Sequence, residues 1–216
     1  MDIDQVWAAI DTHRGATADL LATLSDQDWC QPSLCDGWTV RDVAAHLTLQ
    51  QLGLVDGLRM ALRHGVRDLN RTIREAARVK ASADPAELIG GLRDTIGSRR
   101  HNIGLTPRET LIDILVHSQD IAIPLRRELP LPQVAAGEAA SRVWSYAGGR
   151  KAAVFRALPV REVRLEASDI AWEIGVGPLA RGPISAVLLA LTGRRPGVDG
   201  LTGPGAERLR VAFARA

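Results

Sequence analysis

The sequence predicts a mainly α-helical protein, with a four-helix bundle over residues 1–150 followed by a small α+β domain over residues 151–216. Two observations support this prediction. Apolar residues recur at helical spacing through most of the first range, whereas after Pro159 apolar and polar residues alternate strictly. A period of 3.6 is typical of amphipathic helices and a period of 2 of strands, so the fold class changes at about this point.

Capping signals place the helix starts of the bundle. Thr39 with Asp42, and Thr106 with Glu109, each fit a capping box, in which a hydroxyl and a carboxylate satisfy exposed backbone N–H groups. Gly65 is a suitable end for the helix that starts at Thr39. The predicted helices span approximately residues 2–24, 39–64, 67–81, 85–100, 107–127 and 133–147.

The C-terminal region follows a different pattern. Alternation over residues 163–167 and again over residues 170–174 predicts a β-hairpin. Gly182-Pro183 then opens a short apolar helix that runs to Leu191 and is closed by Gly193. A last apolar segment covers residues 209–213.

Composition excludes several classes of function. The net charge is +2 and basic residues are interleaved with acidic ones, which argues against nucleic-acid binding. No apolar run approaches the roughly 20 residues of a membrane helix, and the N-terminus lacks a secretory signal, so we expect a cytoplasmic protein. Long exposed bundle faces would permit a homodimer.

Cys30 and Cys35 are expected to be small residues near a helix start, without a disulfide.

One predicted helix carries charged side chains where apolar ones are expected. Residues 111–121 are apolar nearly all round, which predicts a central helix, yet Asp113 and His117 lie one turn apart on the same face. A carboxylate in a core is costly unless it is paired or bound to a metal. Asp113 and His117 can both reach one ion, although a metal-free pair between them satisfies the same spacing.

A third ligand must come from another helix. His46 lies on the predicted helix 39–64, with Val43 and Gln50 about one turn away, and an antiparallel helix pair would bring it opposite His117. Two histidines and one carboxylate leave an open position, as in catalytic zinc sites. A lone core histidine is more often only hydrogen-bonded, so His46 by itself does not decide between the two interpretations.

Several other polar residues have open or ordinary interpretations. Glu109 is better explained as a cap than as a ligand. Asp120 fits either an acceptor for a ligand histidine or a helix-end hydrogen bond. We expect His13, His64 and His101 to be solvated at helix ends or on polar faces. Arg194 follows Gly193 and is our candidate catalytic residue, because arginine binds carboxylates in a bidentate way; the alternative is a surface arginine.

Taken together, these motifs resemble a known family. Residues 36–47 (DGWTVRDVAAHL) and 113–121 (DILVHSQDI) resemble the two metal motifs of the DinB-like superfamily, in particular of the actinobacterial mycothiol-dependent maleylpyruvate isomerase family. The C-terminal region is similar to the small C-terminal domain of that family over residues 163–169 (VRLEASD), 182–183 (GP) and 191–194 (LTGR).

The resemblance implies a DinB-like four-helix bundle with one divalent ion, commonly zinc. In it, His46, Asp113 and His117 are the metal ligands, and mycothiol occupies the open position. Relatives often carry Glu where this chain has Asp113. The implied function is a metal-dependent thiol transferase or isomerase acting on a small electrophilic metabolite. A non-catalytic, metal-containing binding module and a metal-free polar network are the competing hypotheses.

Overall fold

In the computed structural model, residues 1–51, 69–102, 104–146 and 159–215 are described, and the chain forms two compact units. One unit spans Asp2–Pro130, and the other spans Leu131–Ala216 together with Met1. The units meet between Pro130 and Leu131, earlier in the chain than the boundary predicted at residue 150. Helix Gln133–Trp144 belongs to the C-terminal unit because it packs against helix Ile184–Leu191.

Among the described residues, the N-terminal unit has helices and connecting loops but no strand, and the predicted helical fold class is confirmed. Its helices in the described ranges are α1 (Ile3–Ala22), α2 (Asp26–Trp29), α3 (Val40–Leu47), α4 (Leu69–Lys80), α5 (Pro85–Arg93) and α6 (Pro107–Ala122). Helix α1 packs against α5 and α6, while α3 packs against α4, α5 and α6, so apolar faces meet in one interior.

The capping box that starts α3 is formed as predicted. The Thr39 hydroxyl accepts from the backbone N–H of Asp42 at 3.2 Å, and the Asp42 carboxylate accepts from the backbone N–H of Thr39 at 2.8 Å. At α6, Glu109 accepts from the backbone N–H of Thr106 at 2.7 Å, in agreement with a capping role. The predicted continuation of the second helix beyond residue 51, with its end at Gly65, lies outside the described residues.

Helix α6 ends at Ala122, before the predicted end near Arg127. Pro124 explains the early end, because proline has no N–H to donate to the carbonyl of Asp120, four residues earlier. That carbonyl accepts instead from the backbone N–H of Leu34 at 3.1 Å. This hydrogen bond from Leu34 connects residues 30–39 to the end of α6. Residues 30–39 are called the 30–39 loop below.

The C-terminal unit is built around a small sheet. Its described elements are α7 (Gln133–Trp144), a 3-10 turn (Val160–Glu162), β1 (Arg164–Ala167), β2 (Glu173–Ile174), β3 (Leu179–Gly182), α8 (Ile184–Leu191), α9 (Arg195–Asp199) and α10 (Pro204–Arg215). The predicted hairpin is confirmed, since β1 and β2 pair antiparallel with Leu165 opposite Ile174. Strand β3, which was not predicted, pairs parallel with β1 and gives the order β2-β1-β3. Among the described residues, no helix has the length and apolar character needed to cross a membrane.

Candidate metal centre

The three predicted ligands lie together in the N-terminal unit. His46 lies on α3, and Asp113 and His117 lie on the facing side of α6. The Oδ1 atom of Asp113 is 3.4 Å from Nε2 of His46 and 3.3 Å from Nε2 of His117. The two imidazole rings meet edge to face, with centroids 4.8 Å apart. One oxygen of Asp113 therefore faces one nitrogen of each histidine.

These separations fit a shared metal ion better than direct hydrogen bonds. Two ligand atoms at about 2.0–2.1 Å from a tetrahedral zinc ion are about 3.3–3.4 Å apart, which is the edge of the tetrahedron. An N–H···O hydrogen bond typically measures about 2.7–3.2 Å. The side chains of His46, Asp113 and His117 also remain 15%, 31% and 16% exposed, so a small molecule can reach the donor atoms.

The electrostatics of the cluster favour a cation. Burial raises the pKa of Asp113, but the positive charges of His46 and His117 hold that pKa well below its usual range. Burial lowers the pKa of His117, but electrostatic interactions with Cys35 and Asp113 and hydrogen bonds with Asp113 and Asp120 outweigh burial and raise this pKa well above the ordinary value. A carboxylate thus faces an imidazole that holds a proton strongly, and a metal ion would take the place of that proton.

His117 is held from its other side by Asp120. Oδ2 of Asp120, whose side chain is fully buried, lies 2.8 Å from Nδ1 of His117. With Nδ1 as the donor to Asp120, Nε2 can offer its lone pair to a metal ion that displaces the proton between His117 and Asp113, and this carboxylate–histidine pairing is common beside metals. Two roles were predicted for the Asp120 side chain, and this contact supports its role as the hydrogen-bond acceptor for His117.

Cys35 also contacts this pair, which the sequence did not indicate. Its Sγ donates to Oδ2 of Asp120 at 3.1 Å and lies 3.6 Å from Nδ1 of His117. Cys35, His117 and Asp120 are close enough to form a second donor group among the described residues. However, the 2.8 Å between Asp120 and His117 is a hydrogen-bond distance, shorter than the about 3.3 Å between two ligands of one ion. Among the described residues, neither Cys30 nor Cys35 forms a disulfide.

The chain is similar to proteins of one known family. Residues 10–110 match the family model described as the mycothiol maleylpyruvate isomerase N-terminal domain. This N-terminal region belongs to that family. The resemblance inferred from the motifs is thereby confirmed, and the matched range includes His46 but ends before Asp113.

Two solved structures are similar to nearly the whole chain. One is the mycothiol-dependent maleylpyruvate isomerase, with 13% identity and a TM-score of 0.62, and the other is a histidine-to-alanine mutant of an enzyme of that name, with 12% identity and a TM-score of 0.65. Each comparison covers 95% of this chain and 94% of the other chain. At sequence identities this low, the structural similarity shows a shared fold and no more. No curated protein matches the chain.

The 30–39 loop borders the ligand cluster. The ring of Trp38 meets His46 edge-on at 5.5 Å between centroids and stacks on His117 at 6.5 Å. An open groove of about 360 Å³ is lined by residues of the loop, among them Cys35 and Trp38. The loop therefore provides an aromatic wall against the two histidines, and its own groove is open to solvent.

The remaining predicted residues have different surroundings. Arg194 belongs to the C-terminal unit, where its Nη1 donates to the carbonyl of Thr192 at 2.8 Å, and its role in binding stays a prediction. The expectation that His13 is solvated is wrong. His13 is buried, with Nε2 2.7 Å from Oγ of Ser118, because α1 packs its inner face directly onto α6. His101 is only partly buried, and His64 lies outside the described residues.

Two further residues reach the cluster without having been predicted as part of it. Gln50 donates to the second oxygen of Asp113 at 2.8 Å, and Arg14 contacts Gln50 from α1. The sequence offered one weak signal for Gln50, its position four residues after His46. It offered none for Arg14, because a contact between α1 and the segment after α3 depends on tertiary packing.

Proposed function

We propose that this protein is a metal- and mycothiol-dependent thiol transferase or isomerase that acts on a small electrophilic metabolite. The observation that carries the proposal is the convergence of His46, Asp113 and His117 with donor separations of 3.3 and 3.4 Å. Three protein donors with an accessible side are typical of a catalytic zinc site, whereas structural zinc sites use four.

The residues of the chain divide the work at this site. His46, Asp113 and His117 would hold a divalent ion, most suitably zinc given the two nitrogen donors and one oxygen donor. Asp120 fixes the tautomer and orientation of His117. When bound, the ion lowers the pKa of a thiol beside it and so makes a thiolate available near neutral pH.

Mycothiol is the thiol that the family assignment supports, since the matched family and both similar structures carry that cofactor in their names. The groove beside Trp38 is a suitable approach for it. Isomerisation and transfer both require an activated thiol, and the donor set serves either. Arg194 remains our candidate for an anionic group of the substrate or of the cofactor.

Metal content tests the first half of the proposal. Protein purified without chelator or affinity metal should contain about one equivalent of zinc or another divalent ion by elemental analysis, as expected for a single site. His46→Ala and His117→Ala should lose it. His101→Ala is the matched control, because His101 is a partly buried histidine of the same unit whose Nδ1 lies near the carbonyl of Asn102. Equal metal content in wild type and His117→Ala would reject the site.

Turnover tests the second half. Zinc-loaded protein should convert maleylpyruvate or a related conjugated acid when mycothiol is present, and His117→Ala should lose this activity with an unchanged circular dichroism spectrum. Metal-loaded protein without thiol-dependent turnover on any electrophile tested would favour the non-catalytic binding module.

A further inference from the structure

A buried chain of hydrogen bonds runs from α1 to the carboxylate of Asp113. Arg14, fully buried on α1, donates through Nη2 to Oε1 of Gln50 at 3.2 Å. Gln50 donates in turn through Nε2 to Oδ2 of Asp113 at 2.8 Å. The other oxygen of Asp113, Oδ1, is the one that faces His46 and His117.

The chemistry of the three groups allows only one direction of donation along these two hydrogen bonds. A guanidinium has only donors and an ionised carboxylate has only acceptors, so the residue between them must accept on one side and donate on the other. A glutamine side chain does so when its oxygen faces Arg14 and its nitrogen faces Asp113. Arg14 therefore fixes which way the amide of Gln50 points, an assignment that rests on the hydrogen-bond network.

Arg14 is itself held rigidly. Its Nη1 donates to the carbonyl of Thr95 at 2.8 Å, and Nη1 lies 3.6 Å from Oδ1 of Asp11. Gln50 is also buried, at 3% exposure, so both side chains lie in packed surroundings that restrict their movement. A buried arginine that contacts a ligand-supporting amide also offsets part of the negative charge of Asp113.

We propose that Gln50, oriented by Arg14, is a positioning residue that holds Asp113 by Oδ2 and thereby presents Oδ1 to the metal ion. This inference rests on the proposed function, because it assumes that the three-ligand cluster binds a metal. It extends that function by assigning the support of the carboxylate ligand to two residues outside the ligand set. Asp120 supports His117 on the opposite side in the same manner.

The test measures metal affinity in the full-length protein by competition with a chromogenic chelator. Gln50→Met removes the amide at similar length and should weaken Zn²⁺ binding about 10- to 100-fold, as expected for the loss of a partner of a ligand. Gln51→Met is the matched control, because Gln51 is the next residue and its amide bonds the Thr95 carbonyl and the Ser98 hydroxyl. Gln51→Met should bind Zn²⁺ as wild type does.

A second readout separates positioning from general stability. The visible spectrum of the Co²⁺-loaded protein reports the coordination of the ion, and it should change in Gln50→Met while the unfolding temperature of the metal-free protein stays near that of wild type. If Gln50→Met does not fold, Gln50→Asn replaces it, since a side chain shorter by one methylene keeps the amide but cannot join Arg14 to Asp113.

The outcomes are distinct. Wild type that binds neither Zn²⁺ nor Co²⁺ would overturn the proposed function and this inference together. Metal binding by wild type with less than about a threefold loss in Gln50→Met, or in Gln50→Asn in its place, would overturn the positioning role alone. Equal losses in Gln50→Met and Gln51→Met would also overturn it. If Arg14 acts through Gln50, Arg14→Met combined with Gln50→Met should lose no more affinity than Gln50→Met.

Discussion

The Oδ2 atom of Asp120 lies 2.8 Å from Nδ1 of His117, so a fully buried carboxylate holds this imidazole by the nitrogen that does not face Asp113. The same oxygen accepts from the thiol of Cys35, and the backbone carbonyl of Asp120 accepts from Leu34. Asp120 thus connects the ligand helix α6 to the 30–39 loop through both its side chain and its backbone.

Asp120→Asn should weaken zinc binding about 10- to 100-fold, because the amide supports the histidine tautomer less well than the carboxylate does. Zinc competition against a chelator measures the effect. Asp26→Asn is a suitable control, since it makes the same change of charge at an exposed position on α2. Equal zinc affinity in the two variants would contradict a supporting role for Asp120.

The metal-free protein should lose stability as the pH rises. The folded-state pKa of His117 is raised, so its contribution is fully present below the unfolded pKa of about 6.5 and is lost as the pH rises through the folded pKa. Thermal unfolding with chelator, from about pH 6 to about pH 9, should show a falling midpoint in wild type and a smaller fall in His117→Gln. Parallel curves for the two proteins would show that His117 does not carry this dependence.

His13 should lower the stability of the protein as the pH falls, whereas His117 should lower it as the pH rises. Burial lowers its pKa from 6.5 to about 4, so the unfolded chain binds a proton in that range that the folded protein does not. Acidification from about pH 6.5 to about pH 4 should therefore cost on the order of 3 kcal/mol of unfolding free energy through this residue. Urea denaturation should show a shallower acid-side decline in His13→Gln, and an unchanged slope would count against the buried neutral form.

The two cysteines should differ in reactivity. Cys30 is exposed, whereas Cys35 is partly buried and donates its S–H to Asp120. A thiol alkylating reagent should modify Cys30 first, with Cys35 slower by about tenfold or more, because reaction needs an accessible thiolate. Peptide mass spectrometry over a time course measures both rates, and Cys30→Ser isolates the rate of Cys35. Similar rates would mean that the contact with Asp120 does not protect Cys35.

Local patterns predicted much of the helical framework. The capping boxes at Thr39 and Thr106 depend on residues only three apart, and the hairpin of β1 and β2 on alternation within a short segment, so each could be identified from neighbours in the chain. The predicted end of α6 near Arg127 is wrong because Pro124 has no N–H to continue the helical hydrogen bonds. Strand β3 was missed because its pairing with β1 is parallel and joins residues distant in the chain.

The sequence by itself determined that Asp113 and His117 share one face of an apolar helix, because a turn of helix places residues four apart side by side. It also indicated His46 as the partner, though not at what distance. Only the tertiary structure decided that α3 brings His46 to 3.4 Å from Asp113, that Asp120 and Cys35 meet behind His117, and that Arg14 reaches Asp113 through Gln50. Those contacts join segments far apart in the chain, and their distances depend on how the helices pack rather than on any local period.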